Sequence, residues 1–236
     1  MAYTNYVCNT THYSGRLYQA GHLYSFQSSP GANFTALTED APNRKLVWLY
    51  EETGADGTIR FPTPQWDDMT FPATGINPPG AVSDPSRDTS DGNLVFAAAA
   101  TNLIAITHLS PHSWVLGSEW RPHVHVSKED ANEGDVVLKF EYSIAVKDGR
   151  FPAYTVDQQT FTMPTGDFST GGESHTIFSF DPIDMSSYTS AATAAKFRFS
   201  RIGGDAADDY AGTLKLLEFD VHIQNDSLGS GQEFIK

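Results

Sequence analysis

Residues 111–142 read PHSWVLGSEWRPHVHVSKEDANEGDVVLKFEY, and the end of this stretch decides the fold. From Asp135 onward the chain alternates. Val136, Leu138, Phe140, Tyr142 and Ile144 fall on one face, and Val137, Lys139, Glu141 and Ser143 on the other. Period-two alternation of this length marks a strand with one buried side, as in an antiparallel sheet. Just upstream lies His123-Val124-His125. In an extended segment both imidazoles point to one face while Val124 and Val126 point to the other.

Outward from this segment the same pattern recurs in shorter pieces. Residues 45–52, 159–163, 175–180, 196–202 and 213–224 each read as a strand. Residues 93–109 read as two strands with a break near Thr101, although the run Ala97 to Ala100 by itself favours helix. Residues 185–195 fit a short helix or a loop. Between residues 63 and 91, Pro64, Pro72, Pro78, Pro79 and Pro85 predict a long irregular passage pinned by Trp66, Met69 and Phe71. Many strands joined by turns, without βαβ spacing, predict an all-β fold, an antiparallel double-sheet jelly roll or sandwich over residues 41–236.

Residues 1–40 are rich in Tyr, Gly, Ser and Thr and read as an extended N-terminal arm or peripheral hairpin. Such a piece buries too little to stand alone, so it is expected to lie on its own domain or on a neighbouring subunit. Its candidate contact residues are Tyr3, Tyr6, Tyr13, Leu17, Tyr18, Leu23, Tyr24 and Phe26.

Charge and cysteine usage narrow the function. The 236 residues carry a net charge of −14 with no basic run, which argues against binding nucleic-acid phosphates. Cys8 is the only cysteine, so one protomer can form neither an internal disulfide nor a thiolate metal cluster. The first residues lack the basic and apolar regions of a signal peptide, and no run reaches the ~20 apolar residues of a membrane span. A soluble product kept in the cytoplasm is therefore expected, and the sequons at Asn9 and Asn33 read as coincidence.

Gly117, His123, His125 and Glu129 match part of a cupin motif, in which two His and a Glu hold a divalent metal inside a barrel. The closing glycine falls early, at Gly134, and the second motif is poorer, with only His222 and Asn225. The competing reading makes His123, His125 and His222 structural, bonding across strands or lining a subunit interface, with His112 capping a turn; rings gathered on a symmetry axis are a further possibility. There is no Gly-x-Ser-x-Gly elbow, phosphate loop or His-Glu-x-x-His helix. Asp67-Asp68, Glu129-Asp130 and Asp205 with Asp208-Asp209 supply carboxylate pairs, but the last lacks calcium-loop spacing and reads as a solvated loop.

Taken together, PHSWVLGSEWRPHVHVS, GDVVLKFEYSIA, RIGGDAADDYAGTLKLLEFDVHIQND and SLGSGQEFIK resemble a family of tailed-bacteriophage virion structural proteins. The resemblance covers roughly residues 60 to 236, with Val126 where an aromatic is more usual and Gly231 where a basic residue is. It implies a jelly-roll virion protein, trimeric, without catalytic activity or cofactor, assembled in the host bacterial cytoplasm. Its partners would be the major capsid protein or other virion proteins, with no role for nucleic acid or membrane. Capsid decoration, with the arm clipping capsomers together, is the first reading. A tail or head appendage that binds a receptor is the second, and a metal-dependent cupin enzyme the third.

Overall fold

In a computed structural model of the protein, the described residues are 60–165 and 172–229, together with five short backbone strands within residues 4–36. The chain divides into two compact units, Met1–Val47 and Trp48–Lys236. In the first, β1 (Thr4–Cys8) pairs antiparallel with both β4 (Leu23–Phe26) and β5 (Phe34–Ala36), and β2 (His12–Tyr13) pairs with β3 (Leu17–Tyr18). The segment read as an arm or hairpin thus carries a three-stranded sheet and a hairpin, for which its β-branched and aromatic residues are suited. Tyr3 lies outside the described residues, as does the strand expected over 45–52.

The second unit is built from β6 (Arg60–Pro72), a 3₁₀ turn (Ala73–Gly75), β7 (Ser86–Arg87), β8 (Leu94–Phe96), β9 (Thr101–Leu109), β10 (Arg121–Lys128), β11 (Gly134–Val146), β12 (Thr155–Met163), β13 (Ser174–Ser179), β14 (Thr193–Ile202) and β15 (Leu214–Ser227). One sheet runs β13-β10-β15-β8-β7, with β6 also paired to β15, and the other runs β12-β11-β14-β9. All of these pairings are antiparallel. From β8 to β15 the chain changes sheet at every connection except the β11–β12 hairpin. That strand order and alternation is an eight-stranded jelly roll, the fold expected from the sequence.

The inward face of β11 comes out largely as read: Val136, Leu138 and Phe140 are fully buried and Ile144 nearly so, but Val137 and Ser143 of the opposite face are buried as well. The two sheets meet through aromatic rings: Phe140 and Phe197 of one lie 5.6 Å from Phe219 of the other. Phe96 packs edge-on against Phe199, and Phe161 stacks on Phe178. Trp114 and Trp120, both fully buried, close one end of this layer in a T-shaped pair at 5.4 Å. Rings in these geometries gain about 0.5–1.5 kcal/mol per pair beyond the area they bury.

The passage read as irregular is corrected over its first part. Residues 60–72 form the long strand β6, with Phe71 opposite Phe219 and Asp68 opposite His222. Among the described residues β6 pairs only with β15, and an edge strand tolerates proline because half of its N–H groups make no ladder bond. Met69 is buried as expected and Phe71 packs against the core, whereas Trp66 is 47% exposed, with the Arg121 guanidinium 4.7 Å above its ring. The break near Thr101 is present, with β8 and β9 on either side of Ala97–Ala100. No helix forms over residues 185–195.

The loop read as solvated is exposed at Ala206, Ala207 and Asp209, with one exception: the Asp208 side chain is completely buried and paired with Arg201, which is itself fully buried. Its neighbour Asp209 accepts the N–H of Asp135 at the start of β11. Gly134 sits in this contact at φ 139°, and a Cβ there would lie 2.8 Å from both Asp209 Oδ1 and Tyr210 Cα. Gly134→Ala is expected to cost about 2 kcal/mol, read as a lower denaturant midpoint. An unchanged midpoint would mean that the junction of β11 and this loop relaxes freely.

Candidate functional site

The outer face of the β13-β10-β15-β6 sheet gathers the histidines. On β10, Val124 and Val126 are fully buried in the core, so His123 and His125 point the other way. On β15 a register shift opposite His125/Val126 leaves Leu217 as the extra residue of a β-bulge. Leu214 and Leu216 before it, and Phe219, Val221 and Ile223 after it, are all buried. The bulge switches the parity and keeps both halves of the strand packed inward. It also turns Glu218, Asp220 and His222 to the outer face, beside His123 and His125.

There the pieces converge. Asp220 Oδ2 lies 3.2 Å from His125 Nε2 and 3.5 Å from His123 Nε2. The His123 ring packs against that of His222 with centroids 4.2 Å apart, and His222 Nε2 is 2.9 Å from Asp68 Oδ1 on β6. On the far side His125 Nδ1 is 2.8 Å from His175 Nε2 of β13, the rings being nearly parallel. His123 and Asp220 are buried, His125 is partly open, and His222 is half exposed.

The electrostatics follow from this packing. Burial disfavours the charged form of His123, but the hydrogen bond and charge of Asp220, helped by the Arg121 backbone and Asp68, hold its pKa above the ordinary value. Burial pushes His125 down, and repulsion from His123 and His175 adds to it. Glu218 is pushed up by burial and then by the charges of Asp220 and Asp68, so negative charge is crowded on this face. Two neutral or singly protonated imidazoles around a buried carboxylate can ligate a metal or form a cross-strand hydrogen-bond bridge.

Glu129, the carboxylate grouped with the histidines in the cupin reading, is not with them. Its Oε1 accepts a 2.7 Å bond from Lys215 Nζ. The cupin reading is further corrected by direction, because His123 and His125 face away from the core that Val124 and Val126 enter. His112 sits in the turn closed by the Trp114 N–H to Pro111 C=O bond. The reading of the sequence missed Asp220 and His175, and took Asp68 only as one of the Asp67-Asp68 carboxylate pair. Asp220-x-His222 was detectable as a second same-face pair in a strand, whereas nothing in the sequence pairs that strand with β10.

Lys215 forms a second cluster on the same face. Its buried ammonium contacts Asp88 at 2.9 Å, Asp91 at 3.3 Å, Glu129 and Glu173. Asp88 is lowered by bonds from Ser90 and then Lys215, and Asp91 chiefly by the Asn93 backbone. Glu173 is pushed up by burial but lowered overall by Lys215 and Ser127. Depressed carboxylate pKa values contribute stability above the unfolded value near 4, and this is lost as pH falls through the folded values. Lys215→Met is therefore expected to cost about 2 kcal/mol at pH 7, tempered by solvent screening of the outer carboxylates. The deficit relative to the unmodified protein should shrink as melting is followed below about pH 4, where the lowered carboxylates take up protons; a constant deficit would contradict this account.

No protein-family model matches the chain, and no curated protein sequence matches it. Solved structures similar to it include dimeric latent PorU from Porphyromonas gingivalis, at 12% identity over 75% of this chain and 14% of that one, with a TM-score of 0.34. The enzymatically active domain of tailspike protein 4 of bacteriophage CBA120 is 11% identical over 68% of this chain and 19% of that one, TM-score 0.28. Infectious bursal disease virus, Gx strain, is 13% identical over 97% of this chain and 57% of that one, TM-score 0.32. The chain spans less than two thirds of the length of each of these three. At such scores these likenesses carry no functional assignment, which rests on the residues.

Proposed function

We propose that this chain is a non-enzymatic structural protein of a tailed-bacteriophage particle, and that it decorates the capsid. The observation that supports this most is where the resemblance-bearing segments lie. PHVHVS is β10, LEFDVHIQND is β15, and the two pair directly, while PHSW and the Asp-rich loop ending in Tyr210 pack at either end of the same jelly roll. Among the described residues the resemblance-bearing segments thus pack within one unit, while SLGSGQEFIK lies outside them from residue 230 onward. Jelly rolls host many functions, so the motifs and not the fold carry the reading. An acidic surface suits a protein that must stay soluble at high local concentration before assembly.

In this reading the jelly roll is the outward body and the unit Met1–Val47 attaches it to the shell or to a neighbouring copy, with a homotrimer as the working assembly. The test is co-sedimentation with particles lacking the protein. The full chain should pellet with the particles. A form comprising residues 48–236 should keep a cooperative melting transition yet stay in the supernatant. Equal binding by the shortened form would contradict the attachment role.

A further inference from the structure

We propose that His123, His125 and Asp220 form a zinc site on the outer face of the jelly roll, with water as the fourth ligand. One ligand atom from each lies within 4.8 Å of the others. A tetrahedral zinc with bonds near 2.0–2.1 Å has ligand atoms about 3.3 Å apart. The two imidazole-to-carboxylate distances, 3.2 and 3.5 Å, straddle that edge. The remaining His123-to-His125 edge is within 4.8 Å and would have to match about 3.3 Å when zinc binds.

A second observation points the same way. Asp220 is 4% exposed, its Oδ1 has no hydrogen-bond partner, and its ion-pair partners among the described residues are these two imidazoles. A buried carboxylate without a lysine or arginine partner is costly, and a divalent cation relieves that cost. The crowding of negative charge from Asp68, Asp220 and Glu218 favours the same occupant. The outer shell is also in place. His175 Nε2 meets the far nitrogen of His125, and with His125 Nδ1 donating to it the His125 Nε2 is left free for a metal, while the His222 ring backs His123. Two nitrogens and one carboxylate oxygen suit zinc better than magnesium or calcium, which prefer oxygen alone. Access is through the partly open His125.

The test uses the full chain without a histidine tag, stripped with chelator and titrated with Zn²⁺ by calorimetry. One zinc per chain is expected, with Co²⁺ giving the intense visible bands of tetrahedral coordination. Asp220→Asn and His125→Ala should each weaken binding by at least about 100-fold, and His175→Ala by about tenfold. His108→Ala, on β9, should leave affinity unchanged. Zinc should raise the melting temperature of the unmodified protein and not that of His125→Ala, which separates lost binding from lost folding. No zinc uptake at micromolar concentration, an octahedral cobalt spectrum, or equal affinity in Asp220→Asn would overturn the site.

Discussion

Arg201→Met is expected to lower stability by roughly 3–5 kcal/mol, or about 10 °C in melting temperature. Arg201 is fully buried on β14 and holds Asp208 through both Nε and Nη2. It also donates to the carbonyls of Gly212 and Tyr210, at 2.7 and 2.6 Å. Asp208 in turn accepts the N–H of Val137 on β11. Methionine keeps the volume but leaves a buried carboxylate uncompensated and two carbonyls without their donor. The acidic loop would then detach from β11 and β14 together. Replacing both partners, Arg201→Met with Asp208→Leu, should recover part of the loss, because the isolated charge is then gone. Urea unfolding of the three forms checks this, and a single variant within about 1 kcal/mol of the unmodified protein would contradict it.

Phe197→Ala should be comparably damaging, at roughly 3–5 kcal/mol. Phe197 is 1% exposed on β14, with Phe140 at 5.7 Å, Phe219 at 5.6 Å, Trp120 at 6.3 Å and Phe71 at 6.4 Å. It touches rings from both sheets, so its removal opens a cavity at their junction that the rigid strands cannot collapse into. Phe197→Leu, which refills most of the volume, should cost less than half as much. Equal costs for the two variants would place the effect in the aromatic geometry instead of the cavity.

The parts of the fold that were legible in the sequence are those where a local period decides the outcome. β14 writes its buried face directly and β11 its inward one, and the break between β8 and β9 survived the helix-favouring alanines because tertiary pairing overrides propensity. β6 was illegible because its prolines argue against a strand, and only its place at a sheet edge makes them tolerable. Asp208 looked solvated because its partner, Arg201, gives no local signal of burial.

The candidate site was legible by halves. His123 and His125 share a face by spacing alone. Asp220 joins them only through the pairing of β10 with β15 and the bulge at Leu217, which are long-range facts. Glu129 looked like the third ligand because it is near in sequence, yet the turn after β10 carries it to Lys215. A carboxylate 95 residues downstream in sequence (Asp220 against His125) takes the place that proximity suggested for Glu129.

The central claim, a decoration protein of a phage particle, is tested most directly by copy number in purified particles, measured by quantitative mass spectrometry against the major capsid protein. This account predicts hundreds of copies per particle. A handful would contradict decoration and favour a tail or vertex appendage, and absence from the particle would contradict a virion role altogether.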